Sequence, residues 1–241
     1  CPPADSTIRR MNAADFAHRL ATVQERIGAA RARAGRGEGE VTVVAVTKTH
    51  PPEVARVALE CGVMDLAENR VQELERKVGA IGDPRATWHL IGHLQRNKVR
   101  RALPLFDLLH SLDSVRLAQS VSDAAVSEER IVRALVQVNA SGEGAKGGLS
   151  PEEAVEAVGR MAELPGLELR GMMTMAPFVD DEAVLSEAFA RLRRLGERLR
   201  GVTDRVGPEL SMGMTNDLEV AIREGSTMVR IGTALFGERV R

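Results

Sequence analysis

Eight short apolar runs alternate with helical segments, and this alternation constrains the fold more than any other feature of the chain. The runs are strand-sized and rich in β-branched residues. They are VTVVAVTK (41–48), VMDLAEN (63–69), TWHLIGH (87–93), LLHSLD (108–113), IVRALVQVN (131–139), LELRGMMTMA (167–176), ELSMGM (209–214) and TMVRIGTALFG (227–237). Strict alternation of strands with helices is typical of α/β proteins with a parallel sheet.

Chain length favours one of two parallel architectures. Eight βα units within 241 residues fit a (β/α)₈ TIM barrel, for which roughly 250 residues is typical. The alternative is an open doubly wound sheet, which usually has fewer strands. An extra N-terminal helix is predicted by the helical spacing of Phe16, Leu20, Val23 and Ile27, with Gly35 as a C-cap.

No linker or change in composition divides the sequence. We therefore expect one barrel domain over residues 1–241, with residues 1–10 as a flexible N-terminal extension.

The net charge of −1 creates no electrostatic field that would attract the protein to nucleic acid or anionic lipid, and one Trp with five Phe gives few surfaces on which bases could stack. Two cysteines indicate a reducing compartment, and the N-terminus has no hydrophobic signal core. These features predict a cytoplasmic protein.

Polar residues end most of the apolar runs. In a (β/α)₈ barrel the carboxyl ends of the strands form the active-site face, so these residues should meet at one mouth. They are Lys48, Asn69, His93, Asp113 and Asn139, followed by the stretches SMGMTND and RIGTA. A lysine at a strand end commonly reaches solvent. Partial burial would instead lower the pKa of Lys48 and allow its neutral amine to attack an aldehyde.

The last two strand ends have the pattern of anion-binding loops. Ser211 and Gly213 precede Thr215 and Asn216, either of which is a candidate cap for the next helix. Such a glycine turn directs backbone N–H groups at one point. The alternative is an ordinary capped loop.

A second loop of this kind follows the eighth strand. Gly232 and Thr233 offer N–H groups and a hydroxyl, and Arg230 supplies a cation or forms a structural ion pair. Phosphate sites of (β/α)₈ barrels often lie after strands 7 and 8, so the two loops together favour a phosphate ligand.

Other motifs are weaker. Gly142-x-Gly144-x-x-Gly147 matches a dinucleotide fingerprint, but Ser150-Pro151-Glu152-Glu153 predicts that the helix starts beyond it. We interpret the segment as a mobile glycine loop in which Lys146 is available as an anion contact.

The histidines and Cys61 give little sign of a metal or redox site. His89 and His93 would share one face of a regular strand, but they lack neighbouring ligands and make a poor metal site. Gln95 begins a polar run typical of a helix start, and Cys61 is interpreted as an inert thiol.

Taken together, the motifs resemble those of the pyridoxal phosphate homeostasis proteins, whose fold is that of the N-terminal barrel of alanine racemase. The resemblance covers about residues 41–239. It rests on AVTKTHPPE, AENRVQE, WHLIGHLQRNK, HSLDS, VNASGEGAKGG, GMMTM, LSMGMTND and VRIGTALFGER. Ala67, where the motif often has Gly, and Thr215, where Ser is common, depart mildly from the pattern.

This resemblance implies a set of ligand-binding residues. Lys48 would form an internal aldimine with pyridoxal 5′-phosphate (PLP), and Asn69 would lie beside its ring. Arg230 would approach the pyridine end of the cofactor. The phosphate-binding motifs of the family fall on Ser211, Gly213, Gly232 and Thr233. An Arg opposite the ring nitrogen cannot accept its proton, so carbanion chemistry would be weakly supported.

Three functions share the lysine and the phosphate site. The first is a PLP carrier in vitamin B6 homeostasis, a monomer without strong catalytic activity that delivers the cofactor to PLP-requiring apo-enzymes. The second is an amino-acid racemase, which needs two opposed bases. The chain has no Tyr, it ends four residues after Gly237 with no room for the racemase's second domain, and only His89 or His93 could substitute for the missing base. The third is a sugar-phosphate aldolase, which would contain no bound chromophore. The carrier is favoured.

Overall fold

The protein is a closed parallel barrel. The computed structural model describes residues 11–37, 41–143 and 147–237, so the expected extension 1–10 lies outside the described residues. Each strand pairs in parallel with the next along the chain, and β8 pairs with β1. The strands are β1 (Thr42–Val46), β2 (Asp65–Glu68), β3 (Thr87–Leu90), β4 (Leu108–Leu112), β5 (Val132–Gln137), β6 (Leu167–Met173), β7 (Val206–Ser211) and β8 (Met228–Ile231). The (β/α)₈ prediction is confirmed, and the open-sheet alternative is wrong.

Helices connect the strands and cover the outside of the barrel. They are α1 (Ala13–Arg33), α2 (Pro52–Glu60), α3 (Val71–Ile81), α4 (Val99–Ala102), α5 (Val115–Ser127), α6 (Pro151–Ala162), α7 (Glu182–Arg200), α8 (Leu218–Arg223) and α9 (Thr233–Phe236). Short 3₁₀ turns at Arg96–Lys98 and Leu103–Leu105 flank α4. None of the helices in the described ranges is both long enough and apolar enough to span a membrane.

The predicted extra helix is α1. Asn12 caps it by accepting a hydrogen bond from the backbone N–H of Asp15 at 2.7 Å, and Gly35 follows its C-cap with φ +62°. Its apolar stripe is buried against α2, α8 and α9. On the same helix Arg26 binds Glu219 of α8 through two hydrogen bonds of 2.6 and 2.9 Å. The added helix therefore supports the side of the barrel that contains β7 and β8.

Several boundaries differ from the prediction because pairing and backbone geometry override the apolar pattern. β7 covers 206–211 rather than 209–214, since it follows the register of β6 and ends before Gly213, whose φ is +94°. The predicted eighth run ends as a strand at Ile231, and its second half is the short helix α9. Helix α8 is preceded by Asp217 at the N-cap position, so the expectation of Thr215 or Asn216 was wrong.

The apolar residues on the two sides of the sheet are distributed unequally. A large cluster lies between the strands and the helices, whereas the barrel interior holds only small groups such as Val44, Val46 and Ala67. Parallel register fixes which residues share this interior: His89 pairs with Ala67. Polar side chains, described below, occupy much of the remaining interior. The inside of the barrel therefore lines a polar site.

Candidate functional site at the barrel mouth

Lys48 lies at the carboxyl end of the barrel, two residues beyond β1, and it is half-buried. A tight turn sets its position, because the N–H of His50 donates to the carbonyl of Thr47 at 3.0 Å. Thr49, the next residue, has φ +68°, which is unusual for a β-branched residue. Its N–H donates to Glu73 at 3.0 Å, a contact that holds the strained turn in place. The structure thus fixes the backbone on both sides of Lys48.

A buried ion pair lies beneath this turn. Lys77 of α3 and Glu68 of β2 have no exposed side-chain surface and form a salt bridge. Lys77 also donates to the Thr47 carbonyl at 2.6 Å, and the Thr47 hydroxyl donates to Glu68 at 2.5 Å. Burial raises the pKa of Glu68, while Lys77 and Thr47 oppose that rise. This brace was not predicted from the sequence, although Lys77 falls on the apolar stripe of α3.

Asn69 presents an unpaired oxygen next to the mouth. Its side-chain Oδ1 is buried, and no donor in the described part of the chain contacts it. Gly92 packs so closely that a Cβ there would come within 2.1 Å of the Asn69 carbonyl oxygen. A buried acceptor without a partner is costly. Asn69 therefore has the geometry of a residue that is completed by a ligand.

Arg230 is a buried cation within the barrel. Its side chain donates to the Ser211 carbonyl at 2.7 Å, to the Ser211 hydroxyl at 2.6 Å and to the Thr174 carbonyl at 2.8 Å. Three of its five N–H donors are thus engaged by described residues. Burial lowers the pKa of Arg230 to about 10, opposed by Asp217. The guanidinium remains charged at neutral pH, and the structural ion pair considered as an alternative is absent from the described salt bridges.

The loops after β7 and β8 lie together. The N–H of Arg230 donates to the Gly213 carbonyl at 2.9 Å, and the N–H of Ala234 donates to the Thr215 hydroxyl at 3.3 Å. Thr215 is held from outside because Arg26 donates to its carbonyl at 2.8 Å. A Cβ at Gly213 would come within 2.6 Å of the Ala221 Cβ, so this turn requires glycine.

Gly232 and Thr233 belong to the second of these loops. Gly232 immediately precedes α9, and Thr233 is exposed as its first residue. The structure brings both next to the Thr215 segment, whereas Ser211 lies deeper, with its hydroxyl on Arg230 and on His110. From the sequence, Thr215 was expected as a candidate helix cap and as a position where the family commonly has Ser, but not as a ligand contact.

The two histidines of the third run have separate surroundings. β3 ends at Leu90, so His89 is inside the barrel, 2.9 Å from Asp65 and 2.8 Å from His110. His93 lies beyond the strand, 68% exposed, with its Nδ1 2.9 Å from Asp113. The described residues contain no group of three or more candidate metal ligands.

The glycine loop follows β5. Ser150 and Glu153 form a complete capping box, and α6 begins at Pro151, beyond Gly147. The rejection of the dinucleotide fingerprint is therefore confirmed. Residues 144–146, which include Lys146, lie outside the described part of the chain. Burial, followed by the charge of Glu60, raises the pKa of the Cys61 thiol, so it is a weak nucleophile.

Comparison with known proteins places this site in a family. Residues 18–240 match the family described as alanine racemase, N-terminal domain. The pyridoxal phosphate homeostasis protein of Aquifex aeolicus (strain VF5) is 43% identical over 229 residues, which cover 95% of this chain and 99% of that protein. The chain belongs to the pyridoxal phosphate homeostasis protein family.

Solved structures agree with this membership. PipY of Synechococcus elongatus PCC7942, in a structure with PLP bound, superposes with a TM-score of 0.81 at 33% identity and covers 92% of this chain and 100% of its own. Alanine racemase of Clostridium difficile 630 superposes with a TM-score of 0.77 at 17% identity, covering 95% of this chain and 58% of the racemase. The racemase comparison shows the shared barrel fold alone.

The residues of this family member suit a phosphorylated pyridine aldehyde. The half-buried Lys48 offers an amine, and the unpaired Asn69 Oδ1 offers an acceptor. Arg230 offers a permanent cation with two N–H groups beyond those already engaged. The hydroxyls of Thr215 and Thr233 and the adjoining backbone offer neutral donors to an anion.

Proposed function

We propose that the protein binds PLP covalently through Lys48 and takes part in intracellular PLP (vitamin B6) homeostasis without strong catalytic activity. The strongest support is that a homeostasis protein matches nearly the whole chain at 43% identity, together with the PLP-containing structure of PipY. The buried, unpaired Oδ1 of Asn69 adds support from this chain itself, because it calls for a ligand at the mouth.

Each residue has a role in holding the cofactor. Lys48 binds the aldehyde, and the Lys77–Glu68 brace keeps its backbone in place. We propose that Arg230 faces the ring nitrogen and that Thr215 and Thr233 with Gly232 receive the phosphate. Ser211, expected at the phosphate, acts instead on Arg230, because its hydroxyl is buried against that guanidinium.

The same residues argue against efficient catalysis. When bound, PLP supplies an electrophilic aldehyde and an electron-withdrawing ring. A charged Arg230 cannot take the role of an acid residue that keeps the ring nitrogen protonated. The sequence contains no Tyr that could serve as a second base. We therefore propose a cytoplasmic, monomeric carrier that passes PLP to apo-enzymes.

Covalent labelling tests the proposal directly. Purified protein is expected to be yellow, and borohydride reduction should fix a phosphopyridoxyl group that peptide mapping finds on Lys48. Lys48→Ala should lose the visible band, whereas Lys98→Ala, on the surface turn Arg96–Lys98, should keep it. A label on any lysine other than Lys48 would overturn the assignment, and a colourless protein that cannot take up added PLP would refute PLP binding.

The phosphate site has its own test. Thr215→Ala combined with Thr233→Ala should lower PLP affinity by about ten-fold or more, because two charge-assisted hydrogen bonds are lost. Equilibrium dialysis with PLP and with pyridoxal separates the effects, since pyridoxal lacks the phosphate and should bind both proteins alike. Equal PLP affinity in the variant and the wild type would remove these threonines from the site.

Amino-acid racemase activity is the second candidate function, and His93 favours it. Its Nδ1 is engaged by Asp113, which leaves the exposed Nε2 able to accept a proton at the mouth. His89 cannot serve, because both of its ring nitrogens are engaged inside the barrel. Polarimetry with alanine and serine tests this: turnover at ordinary enzyme rates that His93→Gln abolishes would replace the carrier proposal.

A further inference from the structure

A continuous chain of hydrogen bonds crosses the barrel interior from its amino end to Arg230. Asp65 lies 2.9 Å from His89 Nε2, and His89 Nδ1 lies 2.8 Å from His110 Nε2. His110 Nδ1 then lies 2.9 Å from the Ser211 hydroxyl, which Arg230 contacts at 2.6 Å. Asp65, at the start of β2, is 31% exposed, whereas the other four residues are buried. The chain thus connects a solvent-exposed carboxylate at the amino end of the barrel with a buried cation near the carboxyl end.

When Asp65 is ionised and both histidines are neutral, only one set of proton positions satisfies this chain. Arg230 can only donate, so the Ser211 oxygen accepts from it and the Ser211 O–H points to His110. His110 must then donate from Nε2 to His89, and His89 must donate from Nε2 to Asp65. Both rings therefore carry their hydrogen on Nε2. Burial, followed by the charges of His89 and Arg230, lowers the pKa of His110 well below its ordinary value.

An added proton cannot enter the chain without reversing it. Every ring nitrogen that lacks hydrogen already accepts a hydrogen bond, so protonation puts an N–H on His110 Nδ1, facing Ser211. The Ser211 hydroxyl must then turn away, and two cationic donors converge on its oxygen. The charged groups around the pair in the described chain are Asp65 on β2, Arg230 on β8 and Asp217, whose charge acts on Arg230.

We propose that His89 and His110 are positioning residues that hold Arg230 through Ser211, and that a proton entering from the Asp65 end releases this hold and weakens cofactor binding. The last step, the effect on the cofactor, rests on the proposed PLP function. The arrangement of the chain itself does not. The protein would thereby release PLP more readily as the pH falls, without any change at the mouth itself.

The first experiment reads the chain in protein freed of cofactor. Long-range ¹H–¹⁵N correlation spectra at pH 7.5 should show hydrogen on Nε2 of His89 and of His110, and titration to acid pH should convert His110 to the charged form. His18, exposed on α1 and outside the hydrogen-bonded chain, serves as the comparison residue. Hydrogen on Nδ1 of His110, or a charged ring at pH 7.5, would overturn the inference.

The second experiment measures PLP affinity against pH. His110→Gln is the key variant, because its amide can accept from Ser211 and donate to His89 but cannot titrate. Wild type should lose about ten-fold in affinity as His110 becomes charged, the size expected for loss of one charge-assisted hydrogen bond. The variant should match wild type within about three-fold at pH 7.5 and show no such loss. Titration of PLP itself affects wild type and His110→Gln equally, so it cancels when their affinities are compared at each pH.

The outcomes separate the two proposals. The same acid loss in wild type and His110→Gln would overturn the coupling, as would a wild-type affinity that does not change with pH. Failure of wild type to bind PLP at pH 7.5 would refute the proposed function, while the tautomers would still decide whether the chain exists. His18→Gln should behave as wild type throughout. A variant His110→Leu, which breaks the chain, should bind PLP weakly at every pH if it folds.

Discussion

Lys77→Met probes the buried brace beneath Lys48. In the wild-type protein the Lys77 ammonium contacts Glu68 and the carbonyl of Thr47, and both side chains of the ion pair are fully buried. Methionine retains most of the length and the apolar stem of lysine but carries no charge. The substitution therefore leaves the Glu68 carboxyl in the barrel wall without its counterion.

The Glu68 carboxyl can then either stay ionised without a counterion or take up a proton. The less unfavourable of these two states sets the loss of stability. Keeping the charge unpaired costs about 3–5 kcal/mol, as for other broken buried pairs. Taking up a proton costs about 1.36 kcal/mol for each pH unit above the ordinary Glu pKa of about 4.3, hence about 3.7 kcal/mol at pH 7 and about 1 kcal/mol at pH 5. Because burial raises the pKa of Glu68 in the folded state, the deficit grows as the pH rises. The expected loss is about 3–4 kcal/mol at pH 7.

Urea unfolding followed by circular dichroism at pH 7 and pH 5 measures these losses. The double variant Glu68→Gln/Lys77→Met should recover much of the stability at pH 7, because its buried side chain is neutral. Lys98→Met, at a half-buried lysine outside the brace, should stay within about 0.5 kcal/mol of wild type. A loss below about 1 kcal/mol at pH 7, or an equal loss at both pH values, would refute the reasoning.

Three further substitutions test local geometry and titration. Gly213→Ala should destabilise the protein by about 2 kcal/mol in thermal unfolding, because of its φ of +94° and a 2.6 Å contact. Its control Gly79→Ala, on the exposed side of α3, should stabilise by about 0.5–1 kcal/mol. The free energy of unfolding should fall as the pH drops below about 6.5, because His110 takes up a proton in the unfolded chain but stays neutral when buried in the folded one. The same dependence of unfolding free energy on pH in His110→Gln would contradict this. Thr49→Gly should cost less than about 1 kcal/mol in urea, because it relieves φ +68°; a larger loss would argue against strain at this turn.

The alternation of apolar runs predicted the barrel because each run had to be buried on both faces of a parallel sheet. Strand ends were predicted less well. Apolarity continues through Met212 and Met214, but the strand stops at Ser211 because the next glycine adopts a positive φ. Ser211 is therefore the last residue of β7, and its hydroxyl contacts His110 and Arg230 inside the barrel.

The hydrogen-bonded chain was beyond prediction from sequence. Asp65, His89 and His110 lie on three strands, and only the register of the closed barrel makes them neighbours. Inward positions on each strand were readable from the two-residue period, but which inward side chains meet depends on the stagger between strands. Lys77 carried a local signal, a charge on an apolar helical stripe, without indicating its partner.

The hydrogen bonds from Arg26 to Glu219 and to the carbonyl of Thr215 have a consequence for synthesis of the protein. Arg26 and Glu219 are 193 residues apart, so α1 is synthesised long before α8, which supplies this partner. A nascent chain that has emerged through α3 already carries Lys48 and its brace, yet it lacks Arg230 and both loops at the far side of the mouth. If these residues bind PLP as proposed, stable binding is expected only of chains that extend through α9, and a shortened product would carry Lys48 without the groups that retain its ligand.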